Sequence, residues 1–78
     1  MNKRTFEAIY KLVKDKNYVI ITDIPTSEFM TETSDLSERF SSKDINRIAL
    51  FDDFVYIALA KKRIIYIPYN HIITILSN

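Results

Sequence analysis

Asp52 and Asp53 are adjacent carboxylates, His71 is the chain's single imidazole, and a Ser/Thr-rich tract occupies residues 26–44. With these groups a chain of this composition would perform acid–base or nucleophilic chemistry. Their spacing argues against it. Neighbouring residues on an extended strand point to opposite faces, so Asp52 and Asp53 pair as acid and base only where a bend reorients one of them. Asp52 reads better as an acceptor for backbone N–H groups at such a bend. No serine stands at a spacing that suggests a Ser–His arrangement with His71, and there is no cysteine nucleophile. Without glycine no glycine-rich phosphate loop exists, which removes P-loop and dinucleotide sites. One His and no Cys do not supply the usual four ligands of a structural zinc. The expectation is a protein that is not an enzyme, with no catalytic residues, metal, cofactor or small-molecule substrate.

The charged residues are the other chemistry on offer. Formal net charge is only +1, but it is unevenly spread. Residues 1–17 carry Lys3, Arg4, Lys11, Lys14 and Lys16 against Glu7 and Asp15, whereas residues 26–44 carry five acids against Arg39 and Lys43. Such segregation permits a local basic surface for a polyanion on a nearly neutral protein. Taken alone, the lysines read better as a solvated helix end than as a binding surface.

These groups need elements to hold them. Phe6, Ile9, Tyr10 and Val13 recur at i, i+3, i+4 and i+7, which predicts an amphipathic helix over residues 5–16 with Lys11 and Lys14 toward water. Residues 18–24 form a β-branched run closed by Pro25, which cannot donate a ladder hydrogen bond, and are predicted as the first strand. Residues 26–44 read as a long loop or insertion, with Ser34 and Ser37-Glu38 placed to cap a helical turn that carries Leu36 and Phe40 inward. Residues 45–51 resume strand patterning, and Asp52-Asp53 makes a bend. Residues 54–60 and 64–75 hold most of the apolar side chains on either side of Lys61-Lys62-Arg63, and read as adjacent antiparallel strands. A corner at Tyr69-Asn70-His71 precedes a last strand over 72–76.

Length bounds the whole. A chain of 78 residues with 47% hydrophobic content folds as one small domain, and one this small buries only about 60% of the surface its unfolded chain exposes. With no disulfide available, oligomerisation is the expected supplement. Absent cysteine and no apolar stretch near 18 residues set the expectation of a cytoplasmic protein with no membrane partner. A helix, a strand, a loop and four short strands make a mainly β chain, and a sheet that curls into a small barrel gives its apolar strands an inside.

The order and content of three segments resemble the Sm-like family, in its Hfq-like RNA-binding branch. Residues 6–16 with 18–21 look like that branch's amphipathic helix, basic helix end and first strand. Phe51-Asp52-Asp53-Phe54-Val55 looks like its Phe-Asp-Gln-Phe-Val, and Tyr69-Asn70-His71-Ile72 like its Tyr-Lys-His-Ala. The likeness covers about 50 of the 78 residues and leaves residues 26–44 outside. It departs from the family in lacking the glycines after the first strand and inside the second, and in carrying Asp53 for the glutamine and Asn70 for the lysine. The fold it implies is a single Sm-like domain over residues 1–78, a short helix followed by a strongly bent five-stranded antiparallel barrel. Edge strands of neighbouring copies would pair into a homo-oligomeric ring, hexameric in this branch. The implied function is binding of single-stranded, U-rich RNA as a riboregulator or RNA chaperone. Phe54, Asp53, Tyr69, Asn70 and His71 would then surround a pore, with the aromatic stacking on a base, and Lys11, Lys14 and Lys16 would track the outer rim. The alternative is the same small barrel used as a protein-interaction or assembly module without RNA. By itself Phe54 reads as a core residue of an apolar strand, and His71 as a polar corner residue satisfied by backbone groups.

Overall fold

The computed structural model describes residues 1–23 and 38–77. Its first element is helix α1, Lys3–Val13, which starts where the Oδ1 of Asn2 accepts from the backbone N–H of Thr5 at 2.8 Å. That cap displaces the helix toward the N-terminus of the expected 5–16. At the other end the backbone of Lys16 turns back onto the carbonyl of Val13. The apolar stripe meets the core as its spacing requires, with Phe6 and Val13 buried and Ile9 and Tyr10 half-buried, while Leu12 lies off the stripe and is exposed.

Six strands follow among the described residues: β1 Tyr18–Thr22, β2 Glu38–Ser41, β3 Ile45–Leu50, β4 Phe54–Leu59, β5 Ile64–Pro68 and β6 Ile72–Ser77. They form two three-stranded antiparallel sheets, in the orders β2-β1-β6 and β3-β4-β5. The protein is therefore mainly β with one N-terminal helix, as expected, but its strands do not close into one five-stranded barrel. Two short 3-10 turns account for the difference. Ser42–Asp44 interrupts what would be one long bent strand, and Tyr69–His71 separates β5 from β6, which do not pair with each other.

The expected loop over 26–44 is also corrected at its C-terminal end, where residues 38–44 are β2 and its turn. Phe40 is buried from this strand and not from a helical turn. Four residues are too few to print a period of two, and β2 is extended because it pairs with β1 from Val19↔Ser41 to Thr22↔Glu38. The rest of that segment, with the cap expected at Ser34, lies outside the described residues, as does Pro25. The strand expected over residues 18–24 ends earlier, at Thr22, with Asp23 already outside it.

The bend after β2 is held by serines. Ser41 Oγ accepts from the backbone N–H of Lys43 at 3.3 Å, and Ser42 Oγ accepts from that of Tyr18 at 3.1 Å. Two bulges re-aim side chains. Thr22 pairs with Ile72 although Ile21 pairs with Thr74, so Ile73 is the extra residue, and Ile72 and Ile75 both reach the core while Ile73 faces outward. A second shift lies between Ile45 and Arg47. The core unites Phe6 and Val13 with Tyr18, Ile20, Phe40, Val55, Ile57, Leu59, Ile67, Tyr69, Ile72 and Ile75. The one buried polar residue among those described, Thr22, is satisfied by donating to the carbonyl of Glu38. No described helix is long and apolar enough to cross a membrane.

Candidate nucleic-acid interface

Two polar turns meet at one corner of the molecule: the bend over residues 51–53 between β3 and β4, and the 3-10 turn Tyr69–His71 between β5 and β6. Pairing within the second sheet brings them together, because it sets Phe54 opposite Pro68, the residue before the turn. Tyr69 then locks the two. Its backbone N–H donates to the carbonyl of Asp53 at 3.4 Å, and its hydroxyl donates to the carbonyl of Phe51 at 2.7 Å. The α-amino group of Met1 donates to the carbonyls of Tyr69 and Ile72 at 3.1 and 3.0 Å, which ties the start of α1 to the same corner.

The expected contact residues divide into three groups. Asp53, Asn70 and His71 are exposed at the corner, and Phe54 is half-buried beside them. Tyr69 is 4% exposed, and burial pushes its hydroxyl above the usual tyrosine pKa, with the nearby carboxylates Glu7 and Asp52 adding to the effect. It organises the corner from beneath and presents no ring to a ligand. Lys11, Lys14 and Lys16 are exposed, but they lie at the far end of α1, and at about 1.5 Å per residue the helix sets them ~16 Å from the Met1 end that the corner holds. They stand apart from the corner, and the place expected for them is the outer rim and not the pore.

Phe54 belongs to a row of rings that sequence reasoning did not assemble. It stacks on Phe51 with centroids 5.1 Å apart at 27°, and meets Tyr66 edge-on at 5.8 Å; Tyr66 in turn meets Tyr56 at 5.6 Å. Phe51 is 48% exposed and Tyr66 60% exposed. The row follows from register. Phe54 and Tyr56 are two apart on β4 and so share a face, and Tyr66 stands directly across from Tyr56. The opposite face sends Val55, Ile57 and Ile67 into the core.

The corner's charge is mixed. Lys3 Nζ lies 3.3 Å from Asp52 Oδ1, a pairing worth about 0–1 kcal/mol because the Asp52 side chain is 96% exposed. A shallow hollow of about 300 Å³ is lined by Asn2, Lys3, Asp52, Asp53, Tyr69 and Asn70, with Met1 at its edge. Beside it, Asp23 at the end of β1 reaches His71: Oδ1 is 2.7 Å from Nδ1, and the backbone N–H of Asp23 donates to the carbonyl of His71 at 3.0 Å. Lys3, Asp23 and Tyr66 are residues of the corner that sequence reasoning missed. A separation of 48 positions between Asp23 and His71 leaves no local signal that could have joined them.

The Lys61-Lys62-Arg63 turn lies away from this corner. It joins β4 to β5 at the end opposite the corner, about 20 Å away at ~3.3 Å per strand residue. There Arg63 pairs with Glu38 at 3.1 Å, in the wall of a cavity of about 460 Å³ also lined by Arg39, Phe40, Asp44, Leu59 and Ala60. No protein-family model, curated protein or solved structure matches the chain.

Proposed function

We propose that this chain is a small Sm-like protein of the Hfq-like kind, which assembles into a ring and binds single-stranded, uridine-rich RNA as a riboregulator or RNA chaperone. The observation that carries the reading is topological. The chain from residue 38 to 50 leaves one three-stranded sheet, bends through the single turn Ser42–Asp44 and enters the other, as the bent second strand of an Sm-like barrel would. Counted as one strand, it brings the number to five, behind an N-terminal helix. The bend over residues 51–53 and the turn Tyr69–His71 then fall at the family's two RNA-facing corners.

Three further features support it. Phe54 and its neighbouring rings offer π-faces, and stacking on an aromatic is worth roughly 1–3 kcal/mol per base. Asn70 and His71 offer exposed polar groups next to them. β5 and β6 leave open edges that carry exposed Ile64, Tyr66, Ile73 and Leu76, suited to pairing β5 of one copy with β6 of the next, and repetition around a ring multiplies weak sites. A hexamer is the size the family resemblance favours. Asp52 and Asp53 repel phosphate, so binding rests on stacking and base edges and is weak to moderate for each subunit.

The mixed charge at the corner favours a second reading: the same barrel as an assembly module without RNA. Titration of labelled oligo-uridine at two salt concentrations separates the two. RNA binding predicts saturation, weakening with salt, and a loss of about one to two orders of magnitude in Phe54→Ala, the equivalent of one stacked base. Absence of saturable binding, or binding indifferent to Phe54→Ala, leaves the assembly module.

A further inference from the structure

We infer that Asp23 is a positioning residue that sets which ring nitrogen of His71 the corner offers to a base, and thereby which bases it accepts; the base-selection clause rests on the RNA reading above. The carboxylate Oδ1 of Asp23 lies 2.7 Å from Nδ1 of His71, and both side chains are about half exposed, at 51% and 46%. A carboxylate only accepts hydrogen bonds. At a distance this short the proton sits on Nδ1, and in the neutral ring Nε2 is then a bare acceptor. The backbone bond from the N–H of Asp23 to the carbonyl of His71 holds the two residues together independently of the side chains.

Among the described residues, other charges close to the turn do not compete for that proton. Lys3 and Asp52 are occupied with each other at 3.3 Å, and the α-amino group of Met1 is bound by the carbonyls of Tyr69 and Ile72. Asp53 lies across the turn, where its backbone carbonyl accepts from the N–H of Tyr69. Nε2 is accordingly the nitrogen that faces a ligand seated beside Asn70 and Phe54.

An acceptor at that point selects by the protonation of the base edge. Uracil and guanine carry a ring N–H on their pairing edge and donate to Nε2. Cytosine and adenine carry a bare ring nitrogen there and set acceptor against acceptor. Asp23 therefore makes the corner prefer uridine over cytidine, two bases of the same size that stack alike. The other tautomer, with the proton on Nε2, would reverse the preference.

The test is made on the free protein and then with RNA, at about pH 8, above the ordinary imidazole range. Long-range nitrogen–proton NMR of His71 should find the proton on Nδ1 in the wild type and in Asp23→Asn, whose amide oxygen still accepts, and on Nε2 in Asp23→Ala. Fluorescence titration with oligo-uridine and oligo-cytidine of equal length should give a wild-type preference for uridine of about five-fold, the worth of one hydrogen bond, reversed toward cytidine in Asp23→Ala and kept in Asp23→Asn. A wild-type ring protonated on Nε2, or a tautomer unchanged by Asp23→Ala, overturns the inference. A ring protonated on Nδ1 in a protein that binds neither oligonucleotide overturns the RNA reading and leaves the positioning of His71 standing.

Discussion

Tyr69 shows how one side chain converts two loops into a site. Its hydroxyl and its backbone N–H bind the carbonyls of Phe51 and Asp53, so the turn carrying Asn70 and His71 cannot shift without the bend carrying Asp52 and Asp53. Tyr69→Phe keeps the packing and removes one hydrogen bond; stability should fall by about 1 kcal/mol, read as a lower midpoint in urea unfolding with an unchanged slope. Lys62 is the one described non-glycine residue with positive φ, at 63°, where its Cβ crowds the backbone. Lys62→Gly should stabilise the protein by about 1 kcal/mol, or ~4–8 °C in Tm for a domain of this size. Tyr18 supplies a pH signature. Burial, with a smaller contribution from Tyr10, pushes its pKa up to about 12 in the folded state against 10.0 ordinarily. The folded chain thus holds this proton more tightly than the unfolded chain. Its contribution to stability is complete below about pH 10 and is lost as pH rises toward 12, and denaturation profiles across that range should flatten in Tyr18→Phe.

The elements differ in how openly the sequence wrote them. α1 was legible because four apolar residues mark one face over two turns, and β4 because its β-branched and aromatic run is long enough to read. β2 was not, since its only large apolar residue is Phe40 and its partner β1 lies about 20 positions earlier. Phe40 should nevertheless carry much of the first sheet's attachment to the core. Phe40→Ala is expected to cost about 3–5 kcal/mol in denaturant unfolding, close to the whole stability of a small domain. Ser42→Ala removes the acceptor for the Tyr18 N–H and should cost about 1 kcal/mol, with faster hydrogen exchange at Tyr18 as the local readout. In this bend side-chain hydroxyls accept from backbone N–H groups in a chain that has no glycine.

At the scale of the molecule, what stands out is how much apolar surface the edges leave uncovered: Ile64 and Tyr66 on β5, Ile73 and Leu76 on β6. A domain of 78 residues has little core to spare, and a ring that pairs these edges would cover them and retire two open strands at once. Under that proposal, light scattering should give a mass several times that of one chain. Tyr66→Lys with Leu76→Lys should release monomers that keep the wild-type circular dichroism, since both positions are already exposed. A strict monomer in the wild type removes the ring. The sequence alone determined the composition of the two long apolar runs, the helix face, and the polar interruptions at Asp52-Asp53 and Asn70-His71, because each of these is a matter of residue type and short-range period. Tertiary structure alone decided that the strands form two sheets in place of a closed barrel, that Tyr69 turns inward, that Lys11, Lys14 and Lys16 stand apart from the corner, and that Asp23 meets His71. Those outcomes depend on pairing register and on contacts between residues tens of positions apart, which no local pattern encodes.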